Sequence, residues 1–441
     1  MNKRLLIPER ILKTLSKHRF LKNVMLVSGG TATAQLLVIL FSPIISRIFS
    51  PDDFGTVAVY SSILAILSPL STLRLHYAIP IEDNDVSAVN ALFASFLVVC
   101  LTSVSVLLFA LIGSDILINV FDAEPLRPYM WLLSVGLFGV GSYTTMNAWM
   151  LRRNHYKAIA RTKVAQGFSR SISQIGLGLL GTGPLALVIG TIIGETAGIG
   201  SLTSHFLKTD KFLLKSIRGS SVLLVVKKYK EFILLGTWSA MLNMAASHVP
   251  VLFLSALYGA QMVGAFSFAN KIIALPMTLV GASVAQVFFG EGAKYASSDP
   301  ARLLSLVQKS SRRLFQLALI LPALLVPFGP WLFSFVFGSA WFEAGEYARW
   351  LSILLVFRFS VQPFYEALDM LKRQRLRLVL SVVRVGLIAL ALFGSWKVGL
   401  SPLSAVVVYT GCMIVVYSLT YLVIVNAIKQ RIGDIELDKK E

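Results

Sequence analysis

The stretch from Val24 to Ile48, VMLVSGGTATAQLLVILFSPIISRI, decides the fold class, because no charged residue interrupts it before Arg47. A helix rises about 1.5 Å per residue, so about 20 such residues cross a hydrocarbon core about 30 Å thick. The segment must be helical, since lipid offers no partner to an unpaired backbone N–H or C=O. Basic residues precede it, as in a secretory signal, but the run outlasts the roughly 7–15 apolar residues of a signal and reads as a retained first span.

Similar blocks recur along the chain. They cover 55–80, 88–113, 128–150, 164–182 and 184–206, and then 232–258, 261–290, 311–337, 345–370, 376–395 and 401–427. Of 441 residues, 56% are hydrophobic and only 14% charged, against about 25% charged in soluble domains. Mean hydropathy is +0.73. The prediction is an all-α integral membrane protein of about twelve transmembrane helices.

Loop charge orients these spans, because Lys and Arg in short loops stay on the cytoplasmic side. With the N-terminus inside, the inner segments hold Arg152, Arg153, Lys157, Arg161 and Lys163, then Lys208 through Lys230, then Lys294 through Arg313, Lys372 to Arg377 and Lys429 to Lys440. The opposite loops, such as Pro51-Asp52-Asp53 and Asp115 to Arg127, are nearly free of base. Both termini are therefore expected in the cytoplasm, and the excess of 41 Lys+Arg over 22 Asp+Glu reflects topology, not nucleic-acid binding. One loop dissents: Glu82-Asp83-Asn84-Asp85 is acidic on the inner side. In the N-terminal segment, Ile7, Ile11 and Leu15 recur among Arg10, Lys13 and Lys17. That pattern suits an amphipathic helix on the inner leaflet, and a plain topogenic tail equally.

The longest basic connection divides the spans six and six. The expected organisation is a basic cytoplasmic N-terminus (1–23), a first lobe (24–206), a basic connecting loop (207–231), a second lobe (232–428) and a cytoplasmic tail (429–441). Phe54-Gly55-Thr56-Val57-Ala58 opens the second span, and Val263-Gly264-Ala265-Phe266 lies at the matching place in the eighth. Six spans separate the copies, so the two six-helix lobes would be related by a pseudo-two-fold axis along the membrane normal.

Charged groups at bilayer depth cost about 2.5–3.5 kcal/mol on insertion scales and mark function. Lys271, Arg358 and Arg384 fall near mid-depth, as does Glu195; Arg74 and Arg170 lie nearer the inner surface, where each is as well placed to snorkel as to line a cavity. Polar stripes run through Gln35 in span one, Gln166 and Arg170 in span five, Asn243 in span seven, and Arg358, Gln362, Glu366 and Asp369 in span ten. Small polar residues serve equally well as helix glue. Three unmatched cations would repel, which favours a hydrated cavity for an anionic cargo. The candidate cavity set is Lys271, Arg358, Arg384, Arg170, Arg74, Gln35, Asn243, Asn270 and Gln362. Glu195, Glu366 and His248 are candidates for ion coupling, although a lone intramembrane His is more often a packing residue. Cys100 and Cys412 show no metal-ligand spacing and read as buried small hydrophobes. There is no Walker A sequence and no His-Glu-x-x-His, so neither ATP hydrolysis nor zinc chemistry is supported.

The stretch Ser46-Arg47-Ile48-Phe49-Ser50-Pro51-Asp52-Asp53-Phe54-Gly55 resembles the signature of the polysaccharide and O-antigen flippases (Wzx-like). Leu257-Tyr258-Gly259-Ala260-Gln261-Met262-Val263-Gly264 through Lys271 resembles that family's start of the second half. The resemblance implies a member of the multidrug/oligosaccharidyl-lipid/polysaccharide exporter superfamily, not an enzyme. It implies passage of an undecaprenyl pyrophosphate-linked oligosaccharide across the bacterial plasma membrane by alternating access, for surface polysaccharide or lipopolysaccharide O-antigen synthesis. Membrane lipids and other polysaccharide-assembly proteins are the partners it suggests. No cofactor is expected; coupling to a proton or sodium gradient is implied for some relatives. A MATE-type multidrug exporter is the alternative, disfavoured because buried cations outnumber Glu195 and Glu366. A polysaccharide polymerase or ligase would need a larger outer loop than 114–127.

Overall fold

The computed structural model describes residues 9–438 apart from 114, 116–117, 119–123, 276–280, 282–283, 286–287, 289–291, 293–294, 296–298 and 372. The expectations that rest on side chains of the N-terminal segment, on most of the 114–123 loop, on much of the inner part of the eighth span and on the end of the tail lie outside the described residues.

The first helix, α1, runs from Glu9 to Ile48, so the basic N-terminal segment continues directly into the first span. No proline falls between Glu9 and Pro43 to break it. What ends it is the start of α2 (Pro51–Leu67): Ser50 caps the new helix, accepting from the Asp53 N–H at 3.2 Å while Asp53 Oδ2 accepts from the Ser50 N–H at 2.9 Å. Pro51 sits in the first turn, where its missing N–H costs nothing. The quoted Ser-Pro-Asp-Asp-Phe-Gly turn thus carries a capping box that starts the second helix directly after the first.

The remaining first-half helices are α3 (Asp85–Ile112), α4 (Leu132–Arg152), α5 (Tyr156–Leu179) and α6 (Pro184–Thr196). Past Thr196, where a loop was expected over 207–231, helices α7 (Ile199–Thr209) and α8 (Gly219–Lys228) flank a short 3₁₀ turn, Lys211–Ser216. Val222 and Val225, three residues apart, give α8 a buried face, which it packs against α3. The second half comprises α9 (Thr237–Ile273), α10 (Pro300–Ala318), α11 (Ile320–Phe337), α12 (Phe342–Val361), α13 (Gln374–Lys397) and α14 (Pro402–Asp438). Gly259, with φ 85° and ψ 175°, breaks α9 into two arms, a conformation that a side chain would strain.

Among the described residues nine helices are long and apolar enough to cross a membrane. One of them, Phe232–Ile273, is 42 residues long and contains the Gly259 break. The pairings of the first half recur in the second: α1 with α5 and α9 with α13, α3 with α4 and α11 with α12, α4 with α6 and α12 with α14, α5 with α6 and α13 with α14. The chain is an all-helical membrane protein whose internal repeat is visible in its packing.

Glycines set the closest helix approaches. A Cβ on Gly30 would sit 2.7 Å from the Ala160 carbonyl oxygen, and one on Gly167 2.6 Å from that of Ala34, so α1 and α5 touch backbone to backbone. Between the halves, a Cβ on Gly55 would fall 2.0 Å from the Ala260 oxygen, and one on Gly264 1.8 Å from the Pro51 oxygen. The two copies of the repeated motif therefore pack against each other across the halves.

The acidic loop that opposed the charge rule is explained by its partners. Asp85 pairs with Arg152 at 3.0 Å and Arg153 at 2.9 Å; Glu82, almost fully buried, pairs with Lys228 at 3.0 Å. Arg153 also binds Asp210 at 2.6 Å, and the Trp149 indole N–H donates to that carboxylate at 3.0 Å. The carboxylates stand at the basic end because they tie α7 and α8 to the first half.

Candidate functional site

A cavity of about 310 Å³ lies between the halves. Val38, Ser42 and Ile45 of α1 and Val57, Ala58, Ser61 and Ser62 of α2 form one side, and Arg170 and Gln174 of α5 and Leu187 and Thr191 of α6 form the floor. The second half closes it with His248 and Val251 from the first arm of α9 and Ser267, Asn270 and Lys271 from the second. Arg170 and Gln174 are one helical turn apart and so share a face.

Helix α6 makes room for that face by lacking side chains. A Cβ on Gly190 would lie 2.3 Å from Gln174 Cγ, and one on Gly194 2.7 Å from Arg170 Nε. Arg170 Nη2 donates to Glu195 Oε1 at 2.6 Å, while its Nε is buried with no hydrogen-bond partner. Lys271, on the opposite wall, has no hydrogen bond or ion pair among the described residues and is open to the cavity's solvent. The two cations repel each other electrostatically, one from each half. Gln174 donates to the Leu187 oxygen at 3.2 Å, leaving its own side-chain oxygen to the cavity, and the Ser267 hydroxyl is buried without a partner. His248 Nδ1 lies 3.2 Å from Ser62 Oγ, a contact across the halves. With one carboxylate engaged and two cations, the cavity carries net positive charge suited to an anion.

Aromatic rings seal the end near Ser50. Phe54 meets Phe268 and Trp341 edge-on at centroid distances of 5.2 and 4.9 Å, and Phe268 lies 4.2 Å from Trp341. The Trp341 indole N–H donates to the Ser46 oxygen at 2.8 Å, and Ser46 Oγ donates to the Phe337 oxygen at 3.0 Å. With the Gly55–Gly264 contact these bonds clasp the halves together at that end.

Of the candidates from sequence, the structure brings Lys271, Arg170, Asn270 and His248 to this cavity, with Glu195 beside it through Arg170. It places others elsewhere. Arg74, left-handed at φ 60°, lies over the Tyr77 ring and reaches the Gly236 oxygen at 3.5 Å. Gln35 is half-buried on α1 and Asn243 exposed on α9, neither among the lining residues. Arg358 donates to Gln362 Oε1 at 2.9 Å inside the second half, where Arg384 also stands. Glu366 lies 3.9 Å from Arg377, which also binds Asp369. Gln174, Ser62, Thr191 and Trp341 escaped the sequence reading; only Gln174, one turn from Arg170, left a signal there.

A two-part helical bundle with a charged cavity between its halves is the arrangement of a multi-pass membrane protein. In fold the chain resembles a multidrug resistance MATE family transporter of the MOP superfamily in an inward-facing conformation, with a TM-score of 0.71 and 18% identity over 90% of this chain and 96% of that one. It also resembles the lipid II flippase MurJ in an inward closed conformation, at 0.70 and 13% identity over 90% and 87%. The chain belongs to the family described as Polysaccharide biosynthesis protein, whose model matches residues 44–346. It is 23% identical over 308 residues to the succinoglycan biosynthesis transport protein ExoT of Rhizobium meliloti (strain 1021), which covers 68% of this chain and 58% of that protein.

Proposed function

We propose that this protein moves an anionic lipid-linked oligosaccharide, of the undecaprenyl pyrophosphate-linked kind, across the bacterial inner membrane by alternating access. Both termini face the cytoplasm in this reading, and the clasped end near Ser50 faces outward. The observation that carries it is the pair Arg170 and Lys271, one cation from each half, lining a single cavity whose one paired carboxylate among the described residues is Glu195, bound by Arg170. A diphosphate binds best where two cations converge and water is excluded. A cavity of about 310 Å³ falls at the small end of ligand pockets, about 300–1,000 Å³, and so suits a head group more than a whole glycan. Ligands that touch both halves also favour the state in which the halves are correctly placed, which is what alternation needs.

Family membership and the likeness to a succinoglycan transport protein support a transporter in polysaccharide assembly. A cationic drug, the cargo of the MATE alternative, would meet Lys271 with no free carboxylate among the described residues lining the cavity, since Glu195 beside it is held by Arg170. Coupling to a proton or sodium gradient belongs to the same proposal, with Glu195, the carboxylate bound by Arg170, as its candidate residue. The test is transport of a fluorescent lipid-linked oligosaccharide in proteoliposomes. Lys271→Gln and Arg170→Gln should each abolish it while Lys271→Arg retains it; equal rates in the wild type and both Gln variants would refute the proposal.

A further inference from the structure

The connection between the two halves is held in one orientation and leaves an amphipathic face uncovered. A helical stretch long and apolar enough to cross a membrane ends at Thr209 and another begins at Phe232, so the chain between them lies at the membrane surface. Asn90 of α3, fully buried, anchors it: its side chain donates to the Ser216 oxygen at 3.3 Å and accepts from the Arg218 N–H at 3.1 Å. The Lys228 ammonium meets Glu82 at 3.0 Å, and Leu213, Val222 and Val225 are buried against the first half.

These anchors decide what points away. At 3.6 residues per turn, Ser220, Leu223, Leu224 and Lys227 of α8 fall within an arc of about 100°, opposite Val222 and Val225. All four are exposed, Leu223 by 55% and Leu224 by 65%. In the 3₁₀ turn Phe212 is 65% exposed, and Lys215, one turn on, shares its edge. Lys208, Lys211, Lys215, Arg218, Lys227 and Lys230 are all exposed, and none of them pairs with a carboxylate among the described residues. The acids of this connection are Asp210, which is bound by Arg153, and Glu231.

We infer that the outer face of the 3₁₀ turn and α8 is a docking surface for anionic phospholipid headgroups of the bilayer that the protein spans. Full immersion in hydrocarbon would leave the free cations without a partner, and full exposure to water would leave Phe212, Leu223 and Leu224 uncovered. The headgroup level satisfies both, with the apolar side chains in the acyl boundary and the cations on the lipid phosphates. Charge complementarity selects anionic over zwitterionic lipid, because six unpaired cations meet a surface of opposite sign.

The full-length protein carrying Ser220→Cys, with Cys100 and Cys412 replaced by serine, is labelled with bimane on the exposed face of α8. It is reconstituted in phosphatidylcholine nanodiscs containing brominated phosphatidylglycerol or, separately, the same share of brominated phosphatidylcholine. Phosphatidylglycerol should quench the label more strongly. A basic residue near an anionic surface is worth about fivefold in partitioning, so replacing Lys211, Lys215 and Lys227 together by glutamine should remove the preference. The same three positions changed to arginine keep the charge and should keep the preference, which separates lost charge from misfolding. High salt should weaken the preference in the wild type. Equal quenching by the two lipids in the wild type, or an undiminished preference in the glutamine variant, would overturn the inference. So would a label that neither lipid quenches and that water-soluble iodide reaches freely. No cargo enters the measurement, so its outcome is independent of the transport proposal.

Discussion

Replacing Gly264 with alanine should force the clasped end of the bundle apart. A Cβ there would lie 1.8 Å from the Pro51 oxygen, 2.7 Å from the Gly55 nitrogen and 2.8 Å from the Pro51 carbonyl carbon. Carbon and oxygen tolerate contact at about 3.3 Å, so the backbones of α2 and the second arm of α9 must separate by about 1.5 Å. Neither partner is the tip of a flexible side chain, and the capping box at Ser50 holds Pro51 in place. Overpacking of this kind typically costs about 1–3 kcal/mol, and the cost falls only on the state in which the clasp is closed. At about 1.4 kcal/mol per factor of ten, that is about a 5- to 140-fold shift away from the clasped state. The check is a spin-label distance between Asp52→Cys and Phe342→Cys, two exposed positions either side of the clasp, with Cys100 and Cys412 replaced by serine. The distance should lengthen and broaden in Gly264→Ala, and transport should fall. An unchanged distance distribution would show that the clasp is not the contact holding the halves at this end.

Gly194→Ala should displace Arg170, whose Nε would lie 2.7 Å and Cβ 2.8 Å from the new methyl group. Transport should drop about tenfold or more without loss of folded protein, and normal transport would mean that Arg170 need not occupy its observed position. Asp210→Asn leaves Arg153 without its 2.6 Å partner in a site where the carboxylate is 7% exposed. Because Arg153 keeps Asp85 at 2.9 Å, a loss of about 1–3 kcal/mol is expected, seen as a lower melting temperature in micelles, and an unchanged melting temperature would rule out a structural role for this network. At Lys228, the hydrogen bond it donates to Glu82 raises the ammonium above its ordinary 10.5. The pair is therefore intact below that value and lost only as pH rises through the raised one, so a spin label at Ser220 should keep the same mobility between about pH 6 and about pH 9. Loosening within that range would contradict the pairing.

Much of this protein was legible before any coordinates. The apolar blocks had to be helices because lipid leaves the backbone no other partner, and that constraint depends on composition alone. The start of α2 at Pro51, ahead of the apolar block expected from 55, was a local signal that the apolar pattern passed over: Ser50 and Asp53 satisfy each other's N–H groups. The repeat motifs at Gly55 and Gly264 were visible as matching strings, and Lys271 and Arg170 stood out as charges where charge is costly.

What the chain could not disclose is which of those charges meet. Lys271, Arg358 and Arg384 look alike in sequence, each a cation near mid-depth, yet Lys271 lines one cavity with Arg170 between the halves while the two arginines are not among the residues lining it. That division depends on helix rotation and crossing, set by the glycines at which backbones touch, and a period of 3.6 residues gives only a face, not the neighbour it meets. The acidic loop at Glu82 to Asp85 shows the same limit: its charge contradicted a rule about loops until α8 brought Lys228, 146 residues from Glu82 in sequence, to it. Sequence by itself determined that the chain lies in a membrane as helices and carries buried positive charge. Only the tertiary structure decided that this charge forms a site between two halves, because a site is made by long-range packing and not by local propensity.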